Sequence, residues 1–264
     1  MRKESRDWRK LQRPENRRTF ESGRSRNPEP QLMSTTALPD TETIPRLEAG
    51  DCLTRDDFER RYHAMPDCRK AELIEGIVYM PSPARFELHG SPQARMMTWL
   101  GVYEAATPGV RSADNATNRL DLENEPQPDC MLFVAPECGG NVSISEDDYV
   151  EGAPELVAEI STSSVSYDRG PKLRAYRRNG VQEYLIWQVL DETIEWIVLR
   201  NGVYEPLEPD ADGVLSSERF PGLWLHAAAL LRGELRQVLE TLQQGLASDA
   251  HQEFVARLEQ QQQR

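Results

Sequence analysis

What the chain has little of narrows it first. Only four cysteines occur in its 264 residues, Cys52, Cys68, Cys130 and Cys138. None belongs to a Cys-x-x-Cys pair or has a histidine at zinc-finger spacing, so neither a zinc site nor a disulfide framework is expected. No apolar run approaches the roughly 18 residues of a membrane span, and the N-terminus shows no signal-peptide hydrophobic stretch. The expectation is a cytoplasmic protein with no membrane partner. Positive charge is scarce over most of the chain. The formal net charge is −13, yet residues 1–26 carry ten Lys/Arg against four acids, and taking that +6 from the total leaves −19 on the remainder. So acidic a body is a poor general binder of polyanions, because nucleic-acid affinity rests on neutralised phosphates.

What is present divides into three parts. Residues 1–50 are rich in Arg, Ser, Pro and Glu, with apolar residues in no regular period, and read as a disordered basic tail. The tail is read first as solvated chain and second as a nucleic-acid contact. Residues 51–231 are long enough for one core that buries about 70% of its unfolded surface. Residues 232–264 form a C-terminal helical extension, with Leu235, Val238, Leu239, Leu242 and Leu246 at helical spacing. It could pair with a partner helix or pack on its own domain, and a homodimer stays open.

Within the central part, Thr54 caps a helix that carries Asp56 and Asp57 in its first turn and reaches about His63. Glu72 to Met80 reads as strand, turn and strand about Gly76, and a helix runs from His89 to about Ala106. Pro128-Asp129 feeds directly into the apolar strand Cys130 to Val134, which puts Asp129 at a strand's mouth. A loop of acids and glycine spans Glu137 to Gly152. Next comes Leu156-Val157-Ala158-Glu159-Ile160, a short buried strand that contains a carboxylate. An unpaired ionised Glu159 in a core costs several kcal/mol, so it calls for a counter-charge, a metal ion or a lysine. Lys172 lies on the next helix, which has Pro171 in its first turn and ends near Asn179-Gly180. The strand Glu183 to Val189 follows, and the hairpin about Asn201-Gly202 ends the sheet in antiparallel strands.

Glu75, Asp129, Glu159 and Lys172 therefore assemble into three carboxylates and one amine. Such a set suits one or two Mg²⁺ or Mn²⁺ ions, which acidify a bound water while the lysine orients it or offsets charge on the transition state. Each residue also has a plainer explanation. Asp129 also reads as a turn or cap residue, Lys172 as solvated charge beside Arg169, Arg174, Arg177 and Arg178, and Glu75 as a strand-end ion pair.

The residues Glu72-Leu-Ile-Glu75-Gly76, His89, Pro128-Asp129, Pro154-Glu-Leu-Val-Ala-Glu159-Ile-Ser161, Asp168, Lys172, Tyr176 and Gly180-Val-Gln-Glu183-Tyr184, in that order, resemble the "putative restriction endonuclease" family of the Uma type. That family is a branch of the PD-(D/E)XK nuclease superfamily. The resemblance covers roughly Leu53 to Leu231. It implies an α/β (α+β) fold, a restriction-endonuclease-like mixed β-sheet flanked by helices. It also implies an Mg²⁺-dependent endodeoxyribonuclease that acts on DNA, with Asp129 and Glu159 as metal ligands. The superfamily often has a lysine two residues after the glutamate, where this chain has Ser161; Lys172 matches the family's lysine on the next helix. Glu75 resembles the superfamily's additional acid, and His89 matches a family histidine. The alternative is a catalytically silent nuclease-fold protein that assembles through its C-terminal helix.

Overall fold

The computed structural model describes residues 44–81, 83–162 and 164–263. Most of the expected basic tail, residues 1–43, lies outside the described residues. Helix α1 (Arg55–His63) precedes the hairpin of β1 (Glu72–Ile74) and β2 (Ile77–Tyr79). A π turn over Phe86–Gly90 leads into α2 (Ser91–Ala106). Strands β3 (Val110–Asp114), β4 (Asn118–Arg119), β5 (Cys130–Val134), β6 (Ser143–Ile144), β7 (Val150–Glu151) and β8 (Leu156–Ser161) follow. Helix α3 (Val165–Tyr167), a second π turn (Asp168–Lys172) and α4 (Leu173–Asn179) join β8 to β9 (Glu183–Gln188). After β10 (Thr193–Arg200), β11 (Val203–Pro206), β12 (Val214–Ser216) and β13 (Trp224–His226), the chain finishes with α5 (Ala227–Leu231), α6 (Leu235–Leu246) and α7 (Asp249–Gln262).

Local chemistry accounts for the boundaries. Thr54 Oγ1 accepts from Asp57 N at the start of α1, a cap worth about 1 kcal/mol. At the β10–β11 turn Asn201 and Gly202 take φ of 50° and 80°, the left-handed pair of a tight hairpin.

The central sheet has the order β11-β10-β9-β8-β5-β3. Its β8–β9 pair is parallel and the others are antiparallel, so the sheet is mixed, and helices flank it. Strand β8 sits near the middle, with all six residues buried. Because side chains alternate along a strand, it serves two faces at once. Leu156, Ala158 and Ile160 join a large apolar cluster with Trp99, Leu100 and Leu185, while Val157 joins a smaller one with Met131, Tyr176 and Tyr184. A third cluster, with Phe58, Ala71, Leu73 and Val78, lies between α1 and the β1–β2 hairpin.

The C-terminal residues pack on their own domain. Val238, Leu242, Phe254 and Leu258 all belong to the large cluster, and the ring Nε2 of His251 on α7 lies 2.9 Å from Thr107 Oγ1 at the end of α2. The acidic stretch read as a loop contains β6 and β7, which with β4 form a small three-stranded sheet in the order β4-β7-β6. Arg119 of β4 clamps that sheet to α1 by double hydrogen bonds to both Glu59 and Asp147. Among the described residues no helix is long and apolar enough to cross a membrane.

Candidate active site

Register brings the two sheet acids together. The β5–β8 ladder pairs Met131 with Val157 and Cys130 with Ala158, so one step further Asp129 stands opposite Glu159. Directly opposed residues share a face, with Cβ atoms about 4.5–5.5 Å apart. The Ile160 amide donates to Asp129 Oδ2 at 2.8 Å, which fixes the Asp129 carboxylate against the residue that follows Glu159.

Lys172 reaches this point from the next element. Its Nζ lies 2.8 Å from Glu159 Oε1, 2.9 Å from Glu72 Oε1 and 4.0 Å from Asp168 Oδ1. The π turn carries both Asp168 and Lys172 to the interior and accommodates Pro171, which has no N–H to offer a regular helix. Tyr176, one turn further, donates its hydroxyl to Glu159 Oε1 at 2.8 Å. Ser161, two residues after Glu159, donates to Asp168 Oδ2, as does Ser164.

The electrostatics follow from burial. Removal from water pushes the Glu159 carboxyl up to about 8, against the pull of Lys172 and with the help of Asp129, Asp168 and Glu72. Burial works against the Lys172 ammonium, but the surrounding carboxylates of Glu159, Glu72 and Asp168 outweigh it and hold its pKa well above the ordinary lysine value. Burial also pushes Asp129 upward, yet the hydrogen bond from His89 and the charges of Lys70, His89 and Lys172 prevail and leave it well below the usual carboxylate range.

Glu75 is not brought into this group. It occupies the tip of the β1–β2 turn, where Glu75 and Gly76 take φ of 52° and 73°, and its carboxylate faces outward to Arg174 at 2.6 Å. The acid beside Lys172 is Glu72, which also accepts from Gln127 N at 2.7 Å. Sequence reasoning missed Lys70 as well. Its Nζ lies 3.3 Å from Asp129 Oδ1 and 2.9 Å from Asn115 Oδ1, while His89 Nε2 lies 3.2 Å from Asp129 Oδ2. The signal for both was strand alternation. Ala71 and Leu73 point into the third cluster, so Lys70 and Glu72 point the other way.

A cleft of about 1490 Å³ exposes the assembly, lined by Lys70, Glu72, His89, Asp129, Glu159 and Lys172 among others. Two of its polar atoms, His89 Nδ1 and the Tyr167 hydroxyl, are buried without a hydrogen-bond partner among the described residues. Glu159 commits one oxygen to Lys172 and Tyr176; the other accepts from no described residue and is not among the buried unpartnered atoms. No group of three His, Cys, Asp or Glu among the described residues is arranged to hold a metal ion. The donors do fit a hard divalent cation of the Mg²⁺ type, which takes one or two carboxylates and completes its shell with water and phosphate oxygens.

Two other acids of the same sequence pattern are structural. Glu155 accepts from Val134 N and from the Asn141 side chain. Glu183 accepts from Ser217 Oγ, Glu218 N, Arg219 N and Trp196 Nε1, and so anchors the turn after β12.

A family model described as "Putative restriction endonuclease" matches residues 55–229. The chain belongs to that family. Its matched span contains Glu72, Asp129, Glu159 and Lys172 and ends within α5, leaving α6 and α7 outside. A crystal structure of "a putative nuclease belonging to DUF820" from Anabaena variabilis is similar at 15% identity, over 72% of this chain and 99% of that one, with a TM-score of 0.48. No curated protein matches. Family membership places the chain with restriction-endonuclease-type nucleases.

Proposed function

We propose that the protein is a metal-dependent endonuclease that hydrolyses DNA phosphodiester bonds in the cleft between the hairpin, the π turns and the mouth of β5 and β8. The observation that carries this reading is the cross-strand pair Asp129 and Glu159, with Lys172 seated on Glu159. Asp129 and Glu159 would hold Mg²⁺ or Mn²⁺, which would supply charge to acidify water and to offset the anionic transition state.

The chain's own groups have definite tasks around that ion. Lys172 directs N–H bonds at Glu159 and Glu72, and its charge beside Glu159 would orient the attacking water or offset charge on the transition state. Tyr176 keeps Glu159 in one rotamer, and Asp168, held by Ser161 and Ser164, keeps Lys172 charged. Hydrolysis adds water to phosphorus and breaks the bond to the leaving oxygen; one water proton departs and the leaving oxygen gains one. On so acidic a body, contact with the DNA backbone falls to the cleft cations Lys70, Arg69 and Arg85.

Purified protein incubated with supercoiled plasmid and Mg²⁺ or Mn²⁺ is expected to nick it, and Glu159→Ala to lose at least about 10³-fold in rate. Equal nicking by both proteins, or none by either, sinks the proposal. The absence of a three-donor group among the described residues favours a second reading, a catalytically silent member of the family. Calorimetry with Mn²⁺ separates the two, since a silent member gives no binding isotherm.

A further inference from the structure

Two cleft side chains, Lys70 and His89, hold Asp129. Both oxygens of Asp129 are already engaged: Oδ1 by Lys70 at 3.3 Å, Oδ2 by His89 at 3.2 Å and by the Ile160 amide at 2.8 Å. An ion bound to Asp129 would meet an ammonium at the same carboxylate, and like charges so close repel. Lys70 and His89 also differ from Lys172 in how they are held. The Lys172 side chain is 3% exposed and enclosed by three acids, whereas Lys70 and His89 are 24% and 21% exposed on the cleft wall. Lys70 has a second partner, Asn115 Oδ1, that would retain it if Asp129 were taken away. His89 sits on a π turn, with its Nδ1 buried in the cleft and unpartnered, a state that native proteins normally relieve with a ligand or water.

Building on the nuclease reading, we propose that Lys70 and His89 are exchange partners of Asp129. Without a divalent ion Lys70 neutralises its carboxylate and His89 hydrogen-bonds it; when the ion takes that carboxylate, they turn to a substrate phosphate. Lys70 is the principal phosphate contact, and His89 turns to the same group the ring Nε2 side that it holds against Asp129. The arrangement reconciles an acidic body with a polyanionic substrate, because the Lys70 ammonium is withheld from DNA until the metal has arrived.

The test is Mn²⁺ calorimetry on the full chain and on Lys70→Met, together with binding of a short DNA duplex in Ca²⁺ as a function of salt. Loss of the competing ammonium should tighten Mn²⁺ binding about tenfold. The same variant should reduce the slope of log K against log salt by about 1, as expected for one lost phosphate contact. Lys70→Arg should restore both quantities towards wild type. A purely structural lysine predicts instead that Mn²⁺ binding weakens or stays the same in Lys70→Met, and either result overturns the exchange. If Lys70→Met does not fold, Lys70→Gln, which keeps a donor for Asn115, carries the same expectation. Plasmid nicking with unchanged Mn²⁺ affinity in the variant removes the exchange alone. Tightened Mn²⁺ binding in a protein that nicks nothing removes the nuclease reading alone, and a wild-type chain that binds no Mn²⁺ removes both.

Discussion

The two faces of strand β8 are built on opposite principles. On one, Leu156, Ala158 and Ile160 press into an apolar cluster closed by α2, α6 and α7, where burial acts without direction and one hydrophobe substitutes for another at modest cost. On the other, Glu159 shares its surroundings with Glu72, Asp168 and Lys172, none more than 3% exposed. There each group depends on a named partner, since a buried charge that loses its counter-ion pays its desolvation in full. The apolar face gives the sheet its stability, and the charged face spends part of it to hold a cleft in working order.

The largest effect that tests this contrast is removal of the Lys172 ammonium from that face. Lys172→Met leaves Glu72, Glu159 and Asp168 facing one another and should lower unfolding free energy by about 3–5 kcal/mol. On the other face Leu185→Ala should cost about 2–5 kcal/mol by opening a cavity. Urea titrations measure both. Mn²⁺ affinity separates them, because Lys172→Met alters the charge around Glu159 whereas Leu185→Ala should leave affinity within about twofold. A Lys172→Met protein as stable as wild type would mean that the three acids are already neutral and the ion cluster a fiction.

These two faces were not equally legible in the sequence. Periodicity and turn chemistry sufficed for the sheet, because Pro128-Asp129, the run Leu156 to Ile160 and the pair Asn201-Gly202 are local signals of local structure. The convergence of Asp129 and Glu159 follows from strand register, which the same alternation sets. The choice between Glu72 and Glu75 was less accessible, because it depends on a two-residue turn whose left-handed φ angles throw Glu75 outward. Alternation can aim Lys70 at the cleft, but the partner that it and His89 share, Asp129, lies 59 and 40 residues away, and no local pattern names it. Strands β6 and β7 are two residues each, too short for any period to show.

A smaller effect comes from a buried acid to which no chemistry is assigned. Glu125 is 2% exposed, with Oε2 unpartnered, beside Glu59. Burial, then the hydrogen bond shared with Glu59, pushes its pKa up to about 9, in spite of Arg119 and Arg55. In the unfolded chain it ionises near 4.5. Between these values the native state holds more protons than the unfolded state, so this group makes stability fall as pH rises, by at most about 1.4 kcal/mol per pH unit. Glu125→Gln should flatten that fall and make the protein more stable than wild type at pH 8. Urea midpoints that run parallel for the two proteins from pH 5 to 9 would show that Glu125 is already ionised, and that buried acids outside the cleft need no different account from those within it.

The smallest stability change is expected at the residue to which the proposed chemistry gives the largest part. Glu159→Gln keeps the shape, and its amide oxygen can still accept from Tyr176 and Lys172, while Glu72 and Asp168 remain to balance the ammonium. Because the substitution relieves crowding among carboxylates, its unfolding free energy should lie within about 1 kcal/mol of wild type or above it. Mn²⁺ affinity should nonetheless fall at least about tenfold, since a neutral amide is a poor ligand for a hard cation. A loss above about 2 kcal/mol with metal affinity intact would make Glu159 a structural anchor like Glu183. The charged face would then be a core of another kind, and its cleft would have no claim to the chemistry.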